Sequence, residues 1–292
     1  MTPPKTPDSP PATPQELVQQ IERLIAFPEV WVRISRLIDQ ERSAAEIAAA
    51  IEMDTDLSAR LLRIVNSAFY RLASPVETIS RAVTIIGTLD LRDLTMLTVA
   101  RRLFTSIPAD LMDIGSFWVD SVSTGIYSAL LGRHCRLLHP ERAFVMGVIH
   151  NIGLLVICQH LPVQAREALY IAGGDHDLLP DAEREVLGYT HQEVGAALLR
   201  RWGLPASLCE VAEYHHSPDL AREFSLEVAI VHVASLLAGS DSMGLGAMEV
   251  LQRVAPGAQD LTDLSVEILQ GIQDEGAQQI ADISQQFAVS TV

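Results

Sequence analysis

At 292 residues and 48% hydrophobic content, the chain is long enough to bury a large core, and its length fits one or two domains. Its 37 acidic against 21 basic residues leave a formal charge of −16, which works against nonspecific contact with nucleic acid or an anionic membrane. Cys135, Cys158 and Cys209 are odd in number, far apart and set among apolar residues, so free buried thiols in a reducing cytoplasm are expected rather than disulfides or a zinc cluster. No secretory leader is read, and the apolar stretches are expected to be too short or too interrupted for a bilayer span of about 20 residues.

Residues 1–14 are rich in Pro, Thr and Ser with little to bury, and are expected to form a disordered lead. From Gln15 apolar residues recur at helical spacing, as Leu17, Ile21, Leu24 and Ile25 and then Val30, Ile34, Leu37 and Ile38, with Pro28 between the two helices. Ser43 and Glu46 have capping-box spacing ahead of an Ala-rich helix to Met53, and Asp54 and Asp56 open the next. Asn66 reads as a residue that caps or pins the loop running to Ser74-Pro75. Leu89 to Phe104 and the stretch from Ile114 give two more helices, the second carrying Phe117-Trp118-Val119-Asp120-Ser121, and Pro140 suits the first turn of a helix ending near His150.

The run Met146 to Pro162 is apolar except where His150-Asn151 interrupts it. Burying an unpaired imidazole and amide costs roughly 1–3 kcal/mol each, so the pair must be hydrogen-bonded, bind something or face a cavity. A further helix ends at Gly173-Gly174, and Asp175-His176-Asp177 reads as a solvated loop. Thr190 and Glu193 form a second capping box that puts His191 at the first helical position. Trp202-Gly203-Leu204-Pro205 then breaks the chain before a helix to Tyr214-His215-His216, and Phe224 to Ala238 follows as a helix containing His232 and Ser235.

Several of these segments, Leu61 to Tyr70, Ser74 to Val83, Ile85-Ile86-Gly87, His150-Asn151, and His191 with the Trp-Gly-Leu-Pro break and His215-His216, closely resemble the HDOD domain. HDOD domains are helical modules of bacterial signalling proteins related to the HD metal phosphohydrolases. The resemblance implies an all-α fold over residues 15–238, an N-terminal helical subdomain of about 15–110 packed on an HD-like helical bundle of 111–238. Residues 239–292 follow as an acidic helical tail.

The resemblance also implies a degenerate site. The superfamily's pattern of His, His-Asp and Asp ligands is met by Asp120, His150, Asn151 and Ser235, where only His150 matches. His191 and His215 lie where multi-metal relatives have ligands, so Asp120, His150, His191 and His215 could converge on a single divalent metal; a vestigial hydrogen-bonded cluster is the alternative, favoured because no chelating spacing is fixed locally. No metal or other cofactor is expected. Gly188-Tyr189-Thr190 lacks the Pro of the Gly-Tyr-Pro signature carried by relatives that cleave cyclic dinucleotides.

The resulting expectation is a cytoplasmic bacterial pseudoenzyme, a noncatalytic regulatory module with a signalling protein or a second copy as partner. The alternatives are a residual metal-dependent phosphohydrolase and a nucleotide sensor without hydrolysis. In the tail, Leu264, Ile268, Ile272, Ile280, Ile283 and Phe287 make an apolar stripe, and Ile268, Ile272, Ile280 and Ile283 are expected to carry association.

Overall fold

The structure, a computed structural model, describes residues 11–21, 29–67, 70, 72, 74–104 and 106–288, the side chains of 101, 242 and 282–288 excepted. Residues 1–10 of the expected lead, Leu24, Ile25 and Pro28, and the side chains of Ile283 and Phe287 in the tail stripe therefore lie outside what is described. Among the described residues the secondary structure is entirely helical.

Local chemistry sets most helix starts. Thr13 accepts the Glu16 N–H at the head of α1 (Pro14–Ile21), and α2 (Glu29–Asp39) follows. The capping box of Ser43 and Glu46 starts α3 (Ala44–Glu52), and the Asp54 carboxylate accepts from Leu57 N–H at the start of α4 (Thr55–Val65). Arg102 holds both acids at that end, 2.6 Å from Asp54 and 2.7 Å from Asp56. After α4 the chain turns back, and Asn66 pins the turn. Its Nδ2 donates to Leu62 O at 2.8 Å and to Val76 O at 2.7 Å, while its Oδ1 accepts from Val76 N–H at 2.6 Å. Thr78 then caps α5 (Ile79–Ile86), and α6 (Thr88–Ala100) runs into a short 3-10 turn at Arg101–Leu103.

The second half begins with Asp113 capping α7 (Ile114–His134), followed by α8 (Pro140–Ile149) and α9 (Ile152–His160), which His150-Asn151 separate. Next come α10 (Pro162–Ala172), ended by Gly173 in the left-handed region, and α11 (Leu179–Leu187). The Thr190–Glu193 box starts α12 (His191–Arg201), and α13 (Ala206–Tyr214) follows. Helix α14 (Ser225–Met243) runs five residues past its expected end, and α15 (Ala247–Arg253), α16 (Pro256–Thr262) and α17 (Val266–Ala288) close the chain.

Packing follows the apolar faces. Helices α2 to α6 form the N-terminal layer, while α7 and α8 pair closely and are flanked by α14 and α17. The α7–α8 approach needs Gly147, where a Cβ would sit 2.7 Å from Gly125 Cα. Helix α9 packs on α12, and α12 on α13. The N-terminal helices pack on the later ones in two places: α1 buries Leu17, Val18 and Ile21 and lies on α12, and α6 lies on α8. Pro140–His160 is also, contrary to expectation, apolar and long enough to cross a membrane by composition, but 83% of that window is buried in the core.

The tail stripe is spent on this core. Helix α17 lies on α7 and α15, with Leu269 and Ile272 buried and Ile268 and Ile280 packed against the core. Gly276 lies over the Tyr127 ring, where a Cβ would come 2.2 Å from Cε1, and the Tyr127 hydroxyl donates to Asp241 of α14 at 2.6 Å. The expectation that Ile268, Ile272 and Ile280 offer a free association face is thus corrected, since intramolecular burial accounts for that stripe.

At Gly153 the backbones of α9 and α12 meet. A Cβ there would stand 1.9 Å from His191 O and 2.5 Å from Gly195 N, both backbone atoms with no room to yield. Gly153→Ala is expected to cost about 3 kcal/mol, as overpacking against rigid backbone does, measured by urea denaturation. Ile272→Asp is expected to cost about 3 kcal/mol or more through lost packing and a buried charge, seen as a lowered melting temperature rather than as a folded monomer of unchanged stability.

Candidate functional site

The contact at Gly153 brings the α8–α9 break beside the N-terminus of α12, and the end of α13 completes the group. His150, His191, His215 and His216 form one cluster. Ring centroids are 4.8 Å apart for His150 and His215, 4.5 Å for His215 and His216, 5.3 Å for His191 and His216 and 5.7 Å for His191 and His215. His150, His191 and His215 are buried and His216 is half-buried.

The tautomers of His150 and His215 follow from their neighbours. His150 Nδ1 donates to Gly147 O at 2.6 Å, which leaves Nε2 as the lone-pair nitrogen. His215 Nδ1 faces two carbonyls, Ala212 O at 3.0 Å and Val211 O at 3.3 Å, and these can only accept, so Nδ1 carries the proton. Its Nε2 therefore offers a lone pair to the Asn151 side chain, 3.1 Å away at Oδ1. A half-turn of the amide presents NH2 to that lone pair and satisfies both groups. Asn151 stands where a cap for α9 would be, yet its side chain makes no capping bond.

His191 is held differently. Its Nδ1 donates to Glu183 Oε2 at 2.7 Å, and the same carboxylate oxygen accepts the His191 backbone N–H at 2.7 Å. Glu183 is 1% exposed, and its charge is placed at the head of α12, where the helix favours an anion. His191 Nε2 is buried without a hydrogen-bond partner. The donor nitrogens of His191, His215 and His216 lie within 4.8 Å of one another. These three imidazoles fit a cation that accepts nitrogen ligands, and Glu183 takes the place behind His191 that a carboxylate commonly takes behind a metal-bound histidine.

Two expected members of the site are not tied to this cluster by any of the described hydrogen bonds or ring contacts. Ser235 Oγ, one turn past His232 on α14, donates to His232 O at 2.8 Å, so its hydroxyl is spent on its own helix. The Asp120 carboxyl on α7 is pushed above its ordinary range by burial, an effect partly offset by His176. Three residues were missed as members: His216, Glu183 and His232. His232 Nδ1 donates to His215 O at 2.8 Å and its Nε2 accepts Ala255 N–H at 3.2 Å, so both nitrogens join α13 to the start of α16. His216 was legible as the second of a His pair. Glu183 had one signal, a carboxylate in the stripe Leu179, Ala182, Leu187 where an apolar residue would be expected.

The HDOD domain family model matches residues 24–218. The chain belongs to the HDOD family. Among solved structures, the HDOD fold is shared with a candidate phosphohydrolase of Shewanella amazonensis at TM-score 0.74, 24% identity and coverage of 93% of this chain and 97% of that one. An HDOD domain protein of unknown function from Geobacter sulfurreducens matches at TM-score 0.70 and 22% identity, covering 94% and 96%. A curated uncharacterized protein of Treponema pallidum is 25% identical over 225 residues, 75% of this chain and 43% of that protein. Ribonuclease Y of Thermus thermophilus is 34% identical over 139 residues, 43% of this chain and 23% of the enzyme. The chain thus spans less than half the length of these curated relatives. HDOD domains are related to HD phosphohydrolases.

Burial sets the site's response to acid. Burial pushes His150 down from 6.5 to about 4, and His215 and His216 fall well below the ordinary value, by burial first and then by neighbouring histidines, His216 and His150 for His215, His191 and His150 for His216. His232 is lowered by burial as well. The unfolded chain takes up these protons near pH 6.5 and the folded chain only at lower pH, so stability is present above 6.5 and lost as pH falls toward 4. Asp90 works in the opposite direction, because burial followed by Glu141 and Asp93 raises its carboxyl to about 6. Burial raises Asp93, Asp120 and Asp241 in the same direction as Asp90, but the unfolded histidines take up their protons near 6.5, inside the interval from pH 7.5 to 5, whereas an unfolded Asp does so near 3.8, below it. The melting temperature is expected to be lower at pH 5 than at pH 7.5, measured by scanning calorimetry.

Proposed function

We propose that this HDOD protein is a noncatalytic signalling module of the bacterial cytoplasm, acting by contact with a protein partner or a second copy through its helical surfaces rather than by turning over a substrate. Nucleic acid and membrane are not its partners in this reading, in keeping with the charge of −16. A structural relative from Marinobacter aquaeolei, described as a candidate signal transduction protein, supports the signalling half of the reading.

One observation carries the noncatalytic half. The side chain beside His150 is an amide engaged with His215, and the carboxylate of the cluster, Glu183, is turned to the far side of His191. A phosphohydrolase of this type needs a bound ion that lowers the pKa of its water, with anionic ligands and a positioned outer shell to direct the attack. Where the rings converge, this cluster offers imidazole nitrogens instead. Asn151 meets His215 by a direct hydrogen bond, where a carboxylate and an imidazole lone pair would share a cation.

The rival reading, a residual metal-dependent phosphohydrolase, draws on the three converging imidazoles. Hydrolysis assays with phosphomonoesters, phosphodiesters and cyclic dinucleotides, with magnesium, manganese, iron or zinc supplied, decide between them. No turnover above background is expected, and Asn151→Asp alone is expected to create none, because Ser235 still occupies the second carboxylate position. Metal-dependent turnover abolished by His150→Ala but retained by an exposed control, His139→Gln, would replace this reading with the rival.

A further inference from the structure

We propose that the seam where α6 lies on α8 is a proton-operated joint, fastened when the Asp90 carboxylate takes up a proton and loosened when it gives that proton up. The seam is separate from the histidine cluster, and it behaves the same way whether or not that cluster turns over a substrate.

The placement of three carboxylates is the first argument. Asp90 and Asp93 stand three residues apart on α6, a spacing that puts both on one face, and Glu141 stands in the first turn of α8. Asp93 is 4% exposed, and its described hydrogen bond, from Arg92 Nε, is long at 3.5 Å. Arg92 is also drawn to Asp39 of α2, 3.9 Å away. Asp90 is half-buried, and among the described residues no hydrogen bond or ion pair reaches its carboxylate. Glu141 is engaged by His139 Nδ1 at 3.0 Å.

The field at the seam is the second. Burial, then Glu141, then Asp93 raise the Asp90 carboxyl to about 6, and His139 and Arg142 offset this only in part. Burial raises Asp93 as well, against Arg92 and Arg142. Tyr70, on the loop that Asn66 pins, senses the same acids, since its hydroxyl is pushed above its ordinary range by burial and then by Asp90, Glu141 and Asp93. Two titrating groups on different segments thus respond to one negative region between α6 and α8. The bases on the other sides of α6 are spent elsewhere or exposed. On α4, Arg60 bonds Asp56 and Arg63 bonds Ala59 O; Arg102, past the end of α6, bonds Asp54 and Asp56; and Arg81 of α5 is exposed.

Linkage gives the direction. Opening the seam returns Asp90 to water and to its ordinary value of 3.8, so the closed seam holds the proton more tightly than the open one. Closure gains almost nothing above about pH 7 and is favoured progressively as pH falls through 6, by about tenfold at pH 5. A protonated Asp90 is also a hydrogen-bond donor among acceptors.

The test is hydrogen exchange of the full chain, with opening constants for α6 and the head of α8 taken after correction for the intrinsic rate at each pH. Relative to Asp90→Asn, which cannot titrate, opening in the unmodified chain is expected to become about tenfold rarer between pH 7.5 and pH 5. Comparing both chains at both pH values cancels the acid weakening of the histidine cluster, which they share. In parallel, the Asp90 midpoint is followed by carboxyl carbon NMR and is expected near 6. Glu141→Gln should move that midpoint down, because it removes the charge that raises Asp90 most, whereas Glu185→Gln, exposed on α11, should leave it in place.

A midpoint near 3.8 would overturn the inference, as would a midpoint that Glu141→Gln leaves unmoved, or a pH response of α6 and α8 that Asp90→Asn reproduces. Asp90→Asn is close to isosteric, and circular dichroism checks that it folds. The NMR midpoints of the unmodified chain and of Glu141→Gln decide the matter without that variant.

Discussion

The approach of α9 to α12 at Gly153, closer than any side chain allows, is the constraint on which the site depends. It follows His150-Asn151 by two residues and faces the carbonyl of His191, so one backbone contact sets the spacing between the two halves of the histidine cluster. The helix break at Asn151 and the capping box at Thr190 serve the same end from either side. The break frees the Asn151 side chain for His215, and the box starts α12 so that His191 is its first residue. Glu183, from α11, then anchors both the backbone and the ring of that residue.

Charge, more than shape, sets the character of this cluster. Burial favours the neutral form of His150, His215 and His216, and the backbone carbonyls of Gly147, Val211 and Ala212 place the protons of His150 and His215 on Nδ1. An amide beside His150 suits such an environment, since it can donate to a lone pair without bringing a charge. A carboxylate in the same place would call for a counter-ion.

The parts of the fold legible in the sequence were those set by short-range chemistry. Ser43 with Glu46 and Thr190 with Glu193 marked two helix starts because a capping box is complete within four residues. Asn66 read correctly as a loop pin because its partners lie ten residues or fewer away. His150, Asn151, His191 and His215 entered through family resemblance and do meet in space. Asp120 and Ser235 were carried in by the same resemblance, but helix register decides where such side chains point, and Ser235 bonds back to its own helix. Glu183 was hidden because α11 is short and its one buried acid reads as a surface residue until the His191 contact is known. The apolar stripe of α17 was visible, but periodicity records only that a face is buried, and α7 could not be named as its cover.

Gly276 also restricts how α17 can move. The helix rests on Tyr127 at a notch with no space for even a methyl group. A slip of one helical turn in either direction would carry Ile272 or Ile280 onto the ring, where neither fits. Axial sliding, a common way for one helix to pass a displacement along another, is therefore closed to this segment. If α17 takes part in signalling, it does so as a two-position element, seated or lifted away, and the Tyr127 hydroxyl bond to Asp241 reports directly on the surface that lifting would uncover.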